Sequence, residues 1–444
     1  MKSFLLSYFI SLRFFLLLGL LAALFVVAFF IPVLEGPLQL ASVGLFGLVL
    51  VDSLVLYLPR HAVFGRRLVA DRLSNGDPNP VDIFVENHYP WPIQVEVIDE
   101  IPHQFQRRDI RFPAKLPAGV NKQITYHLRP VKRGTFNFGH LRVFVRSPLG
   151  LVVRRFSFGT PRDVAVYPSY LQMRKYELLA IHNQLTDVGI KKIRRLGHNR
   201  EFEQIKEYVA GDDIRTINWK ATARRNQLMV NSYQDEKAQP VYAVIDKGRS
   251  MKMPFEGMTL LDYAINAALV ISNIAILKSD KAGLVTFQHK DSTLVPASRR
   301  NTQMQLLMEA LYNQKTAYKE SNFSRLFLRL QYKLTQRSLL LLFTNFESRV
   351  SMQRQLPYLR RLAKRHVLVV IFFENTEVQE LLKQPAHSME DIYLKGVAEK
   401  FTLEKQLIAK ELQQHGVFTV LTSPENLTVN TINKYLELKA RGIV

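Results

Sequence analysis

An uncharged apolar run from Phe14 to Leu34, FFLLLGLLAALFVVAFFIPVL, sets the first condition on how this chain can fold. It is as long as the roughly 20 residues needed to cross a 30 Å hydrocarbon core. A second run, Leu38 to Leu58, follows after only Glu35, Gly36 and Pro37. Hydrocarbon offers backbone amides no partner, so such runs enter a bilayer as helices. Two helices joined so tightly form a hairpin whose outer ends leave on the same face. Lys2 and Arg13 precede the first run and Arg60, Arg66 and Arg67 follow the second, while the loop between carries no basic residue. Positive residues stay cytoplasmic, so the expectation is a multi-pass protein of the inner (cytoplasmic) membrane, with both termini and its soluble domains in the cytosol. A cleaved signal peptide is the competing reading. The run is too long for one, shows no small-residue cleavage site and leads straight into a second span. Asp52 is the one charge in the second run. An intramembrane carboxylate is a functional candidate, but about two turns from the helix end it is expected to reach interfacial water or to pair with Arg60.

The chain has 444 residues, enough for two or three domains, and a formal net charge of +22. A basic surface attracts nucleic acid, anionic lipid or acidic partners. Beside a bilayer the nearest polyanion is lipid, so membrane lipid is the expected partner. No aromatic-studded basic β-face or recognition helix speaks for specific nucleic-acid binding. The absence of cysteine excludes disulfides, thiolate metal sites and cysteine nucleophiles.

After the hairpin (1–62), residues 67–170 show short alternating runs bounded by Gly, Pro, Asn and Asp, among them VDIFVENHY (81–89), IQVEVIDEI (93–101) and TFNFGHLRVFVRS (135–147). Period-two alternation at this spacing predicts an antiparallel β-sandwich. His103 and His140 stand alone there and read as structural. Residues 171–200 read as a basic connector, neither strand nor periodic helix. Its cluster Lys191, Lys192, Arg194 and Arg195 is expected to be a solvated loop, with contact to lipid or nucleic acid as the alternative.

Residues 201–444 open with EFEQIKEYVAGDDIRTINWKATARR. Glu203 and Glu207 share a face if that turn is helical. Asp212 and Asp213 sit at a turn near Arg215, Trp219, Lys220, Arg224 and Arg225, and the expected role of these charges is a structural ion network. Five apolar runs (241–246, 282–288, 338–344, 366–373 and 417–422) then alternate with helical patterns at about 259–277, 301–314, 322–334, 352–365, 390–414 and 427–441. Near-continuous apolar strands between helices predict a mostly parallel, doubly wound α/β sheet, which binds ligands at its strand carboxyl ends. Two such ends carry Asp246-Lys247-Gly248-Arg249-Ser250 and Thr344-Asn345, with Ser321 ahead of a helix. A carboxylate with hydroxyls at loop positions suits Mg²⁺.

Three stretches, RPVKRGTFNFGHLRVFVRSPLGL (129–151), EYVAGDDIRTINWKATAR (207–224) and VYAVIDKGRSM (241–251), make the whole chain resemble the family called domain of unknown function 58. The middle stretch, with Glu207, Tyr208, Gly211, Asp212, Asp213, Arg215, Trp219 and Arg224, is the most specific. The resemblance implies a membrane hairpin, a β domain and a von Willebrand factor A-like domain. It also implies a metal-ion-dependent adhesion site of the form Asp-x-Ser-x-Ser with a later Thr and Asp. Asp246 and Ser250 match that pattern; Gly248 replaces the first Ser, Ser321 stands for the Thr, and Asn345 stands for the second Asp. The implied partner is a MoxR-type AAA+ ATPase in chaperone-like assembly. No Walker A pattern is present, so nucleotide hydrolysis by this chain is not expected. The expected function is a non-catalytic, membrane-anchored interaction adaptor. The alternatives are a metal-dependent hydrolase using Asp212, Asp213 or Asp246, against which the missing nucleophile–base pair argues, and nucleic-acid binding through the basic surface.

Overall fold

The computed structural model describes residues 7–59, 62–107, 110–181, 190, 200–210, 212–235, 238–290, 292–316 and 318–443. The chain divides into two units, Met1–Tyr167 and Pro168–Val444.

In the first unit, helix Leu12–Ala28 leads through a 3-10 turn at Pro32–Leu34 into helix Glu35–Tyr57. Their 17 and 23 residues correspond to lengths of about 26 Å and 35 Å. Pro32–Tyr57 is long and apolar enough to cross a membrane. Leu16, Leu20, Leu40, Val43 and Leu50 all lie exposed on these helices. Helices apolar all round with their side chains uncovered require an apolar surrounding.

The strands of this unit form one five-stranded and two three-stranded sheets. Asn79–Asn87 buries alternate residues Val81, Ile83 and Val85, and Ile93–Asp99 and Leu141–Arg146 do the same with Val95, Val97, Val143 and Val145. These side chains share one core, as the alternation predicts.

How the helices join that core is not legible in local periodicity. Tyr8–Ile10, just ahead of the first helix, is an edge strand paired antiparallel with Val152–Arg154. Phe14, Leu45 and Leu56 from the helices are buried in the sandwich core. Asp52, expected at interfacial water or on Arg60, is 1% exposed. Its Oδ2 accepts hydrogen bonds from the Ser147 hydroxyl and from the amides of Leu151 and Val152, both at 3.1 Å. The last helical carbonyls, which lack intrahelical partners, are met from the sandwich. Leu56 O accepts from Tyr89 OH at 2.7 Å and from Arg154 Nη1 at 2.5 Å, and Arg154 also reaches Pro59 O at 3.0 Å. Of the basic residues flanking the apolar runs, Arg67 is an internal ion pair, 2.5 Å from the buried Asp99; Lys2 and Arg60 lie outside the described residues. His140 is held by the Gly159 carbonyl, 2.9 Å from its Nδ1.

The second unit begins with helix Tyr170–Ile181, where a connector without regular structure was expected. Met173, Tyr176 and Leu179 pack into the main core. Single apolar residues three apart among charges carry little periodic signal, and tertiary burial decides the helix. Lys191, Lys192, Arg194 and Arg195 lie outside the described residues. A six-stranded sheet follows, ordered Ser292–Ser298, Lys281–Phe287, Pro240–Asp246, Leu339–Phe343, Val367–Phe373, Phe418–Thr422. All neighbours are parallel except the Ser292–Ser298 edge. That edge, STLVPAS, is short, polar and interrupted by Pro296, which is tolerated only at an edge, and periodicity did not reveal it. Helix Thr376–Lys383 was likewise not foreseen.

Strand Pro240–Asp246 is buried throughout. Val241, Ala243 and Ile245 enter the core covered by Leu260–Leu277 and Leu427–Ala440. Tyr242 and Val244 enter the opposite core, covered by Phe323–Lys333, Arg349–Arg365 and Met389–Gln414. Leu260–Leu277 is apolar enough to cross a membrane, but it is mostly buried, as a core helix is. A capping box formed by Thr259 and Asp262 starts it, satisfying free amides of the first turn.

Residues 200–235 form a separate arm. Arg200–Glu207 pairs antiparallel with Met229–Asp235, and between them lie a 3-10 turn, Ile214–Thr216, and a short helix, Trp219–Arg225.

Candidate functional site at the strand carboxyl ends

The central strand Pro240–Asp246 delivers Asp246 to the carboxyl edge of the sheet, 2% exposed. Oδ1 accepts from the Gly248 amide at 2.8 Å and from the Ser321 hydroxyl, and Oδ2 accepts from Thr344 Oγ1 at 2.7 Å. These donors come from its own turn, from the loop before helix Phe323–Lys333 and from the end of the neighbouring parallel strand. Burial raises the Asp246 carboxyl above its ordinary value, and the hydrogen bonds from Ser321, Thr344 and Gly248 pull the other way. Burial disfavours a charge while donors stabilise it, and here burial wins.

Gly248 is required by this packing. A Cβ there would run into Ser321 Oγ and lie 3.1 Å from Asp246 Oδ1. The Ser321 hydroxyl therefore fills the space beside the carboxylate that a side chain at 248 would take. Asp246, Ser250, Ser321, Thr344 and Asn345 all line one cavity of about 160 Å³, so the structure brings together the residues singled out at the strand ends.

Asn345 takes a different partner. Its Oδ1 accepts from Lys405 Nζ at 2.7 Å, and the same ammonium donates to Phe346 O at 2.5 Å. Lys405 comes from helix Met389–Gln414. Burial pushes its ammonium down to about 8, with Glu347 and Glu404 pulling upward. At Asn345 the fold places a cation of its own. Around the cavity mouth Arg249 pairs with Glu347 at 3.3 Å and Arg354 lies 4.0 Å from Glu320. Among the described residues no group of three or more His, Asp or Glu side chains is arranged to hold a metal. Asp246 supplies one carboxylate and Ser250, Ser321 and Thr344 supply hydroxyls, while the other two acids lining the cavity, Glu320 and Glu347, lie against Arg354 and Arg249. A divalent ion usually takes more carboxylate than that, and Asn345 is already occupied, so these residues do not fit Mg²⁺ well.

The arm carries the remaining singled-out residues. Asp212 accepts from Lys206 Nζ at 2.9 Å and from the Val209 amide at 3.1 Å; the Lys206 bond first, then that amide, lowers its carboxyl. Asp213 caps its own 3-10 turn through the Arg215 amide at 3.0 Å. Asn218 starts the short helix by accepting from the Ala221 amide at 3.0 Å, a local satisfaction expected at such a terminus. Glu207 is exposed, and the Tyr208 amide closes the hairpin on Leu228 O at 2.8 Å. Gly211 lies outside the described residues. The expected ion network is thus only partly realised: the acids are used locally, and the side chains of Arg215, Lys220, Arg224 and Arg225 pair with no carboxylate among the described residues. Trp219 is 70% exposed. Lys405 is not legible in the sequence, because a lysine in an amphipathic helix gives no sign that it ends buried at a distant loop, and Thr344 shows there only as a strand end.

A family model described as "Protein of unknown function DUF58" matches residues 204–407, a stretch that contains most of the arm, Asp246 and Lys405. The chain is also similar to the uncharacterized protein YeaD of Bacillus subtilis, 26% identical over 200 residues, 44% of this chain and 50% of that protein. It therefore spans about half the length of the curated relative it matches. Among solved structures, the CARDB domain of a Pyrococcus furiosus protein shares 13% identity over 23% of this chain and 86% of its own, with a TM-score of 0.17. The alpha-2-macroglobulin of E. coli shares 15% over 24% of this chain and 7% of its own, with a TM-score of 0.18. An ASH/PapD-like domain of human CEP192 shares 11% over 24% and 87%, with a TM-score of 0.18.

Proposed function

We propose that this chain is a membrane-anchored, non-catalytic interaction adaptor. The apolar hairpin fixes it in the inner membrane with both termini cytoplasmic. The second unit, read as a von Willebrand factor A-like domain, grips a protein partner at the Asp246 face. By the family resemblance that partner is a MoxR-type AAA+ ATPase engaged in chaperone-like assembly or maturation.

The observation that carries this reading is the state of Asp246, a buried carboxylate whose three donors gather separate loops around a cavity. Among the described residues lining the cavity there is no histidine or lysine to serve its hydroxyls as a base, and Asp212 and Asp213 are engaged locally in the arm. An acid at a strand carboxyl end with mobile hydroxyls is suited to receiving a donor or cation from a docking partner. The reading does not require Mg²⁺. For the anchor, support comes from the edge strand Tyr8–Ile10 and from Asp52, both built into the sandwich. Cleavage after the first apolar helix would remove that strand.

The test is affinity purification of the full chain from detergent extracts. An AAA+ ATPase should co-purify, and Asp246→Ala should lower its recovery about tenfold, the effect of losing one charge-assisted contact. Repeated failure to recover any ATPase would overturn the partner. Turnover of phosphoester or peptide substrates by the purified chain, lost in Asp246→Asn, would overturn the non-catalytic reading.

A further inference from the structure

The cations of the arm are left unexplained by the Asp246 site. Lys220, Arg224 and Arg225 line a pocket of about 250 Å³ between the short helix and the two-stranded sheet, together with Asn218, Ile205 and Met229. Among the described residues no carboxylate lines it. Lys220 and Arg224 lie four residues apart on one helix face, a spacing at which side chains are neighbours. Like charges so placed repel unless an anion lies between them. Of the arm's acids whose side chains are described, Asp212 is committed to Lys206 and Asp213 to its own turn, and Glu207 is exposed at the hairpin end.

Large apolar side chains are also uncovered on the arm. Trp219 is 70% exposed, Ile214 69% and Val209 64%. An indole beside clustered Lys and Arg matches the composition of surfaces that lie at the headgroup level of a bilayer. The same chain carries an apolar helix, within Pro32–Tyr57, long enough to cross a membrane, and beside a bilayer anionic lipid is the polyanion present at the highest local concentration.

We propose that the arm docks on an anionic phospholipid surface, with headgroup phosphates held in the pocket by Lys220, Arg224 and Arg225 and the Trp219 indole in the interfacial layer. Arginine forks suit phosphate oxygens bidentately, and lysine adds a point charge. The inference rests on the arm's own residues and on the membrane anchor, and is independent of which protein meets Asp246. It replaces the ion network expected from the sequence.

The chain contains two tryptophans, so Trp91→Phe leaves Trp219 as the only indole. The full-length variant is reconstituted in nanodiscs of phosphatidylcholine alone, or of phosphatidylcholine mixed with phosphatidylglycerol. In the anionic discs Trp219 emission should shift to the blue and be quenched by brominated lipid; in neutral discs it should stay in water. Each basic residue near an anionic leaflet strengthens binding about fivefold, so the triple variant Lys220→Ser/Arg224→Ser/Arg225→Ser should weaken docking about a hundredfold and abolish the shift. Asp246→Ala should leave the shift intact while lowering ATPase recovery, which separates this inference from the adaptor reading. Equal quenching in neutral and anionic discs would overturn it, as would quenching unchanged in the triple variant. A response to inorganic phosphate in neutral discs that matches the anionic discs would reassign the pocket to a soluble anion. Protection of the arm by single-stranded DNA but not by lipid would reassign it to nucleic acid.

Discussion

Asp52 and Asp246 are both buried carboxylates, and each accepts three hydrogen bonds, yet they do different work. Asp52 receives two backbone amides and one hydroxyl from a single turn, residues 147–152, all on one oxygen. Backbone donors cannot rotate away, so this carboxylate fastens a helix to a sheet. Asp246 receives two hydroxyls and one amide from three loops, spread over both oxygens and facing a cavity. Hydroxyls turn easily and also accept, so the same count of bonds leaves a surface able to take a new partner. The chemistry of the donors, more than their number, separates a structural acid from a receptive one.

That contrast is open to direct test. The largest effect should follow Asp52→Ala, which leaves two buried amides and a serine hydroxyl unpaired at a cost of about 3 kcal/mol or more. Hydrogen exchange should accelerate across residues 147–152 and Tyr8–Ile10, with the second unit unchanged; equal protection in the variant would remove Asp52 from its structural role. Next in size is the pH response of Lys405. Its folded value of about 8 lies below the ordinary lysine value of 10.5. Between those two pH values the unfolded chain holds the proton the native state has lost, so stability should rise with pH across that window. The rise should be about 2–3 kcal/mol relative to Lys405→Met, read by urea-dependent proteolysis of the second unit at both ends of the window. Parallel curves for the two proteins would show that Lys405 is not buried as described. The smallest effect belongs to Gly248→Ala, which pushes the Ser321 hydroxyl off Asp246. It should cost about 1 kcal/mol, the worth of one hydrogen bond, and nearly nothing when Ser321→Gly is already present. A full additive cost in the double variant would break the proposed contact.

Much of this was legible in the residues. The apolar runs, the alternating strands from 81 to 147 and the five apolar strands of the second unit announced their elements, because each carries its own period and length. Asp246, Ser250, Ser321 and Asn345 were also legible as a group, since parallel strands bring their carboxyl ends to one edge. Other features were not. The helix at Tyr170–Ile181 has too few apolar positions to show a face, the edge strand Tyr8–Ile10 is three residues long, and Lys405 lies 60 residues from the carbonyl it meets.

By itself, then, the order of residues determined which segments are apolar and long enough to cross a membrane, which pair as strands and where the sheet would gather polar groups, since these follow from local periodicity and the cost of leaving a backbone amide unpaired. The tertiary structure alone decided the partners: that Asp52 would be claimed by a turn about 100 residues away, that Asn345 would face an ammonium, and that the cations of the arm would line a pocket with no carboxylate among the described residues. Burial and long-range hydrogen bonds set those pairings, and both depend on which surfaces meet when the chain is compact.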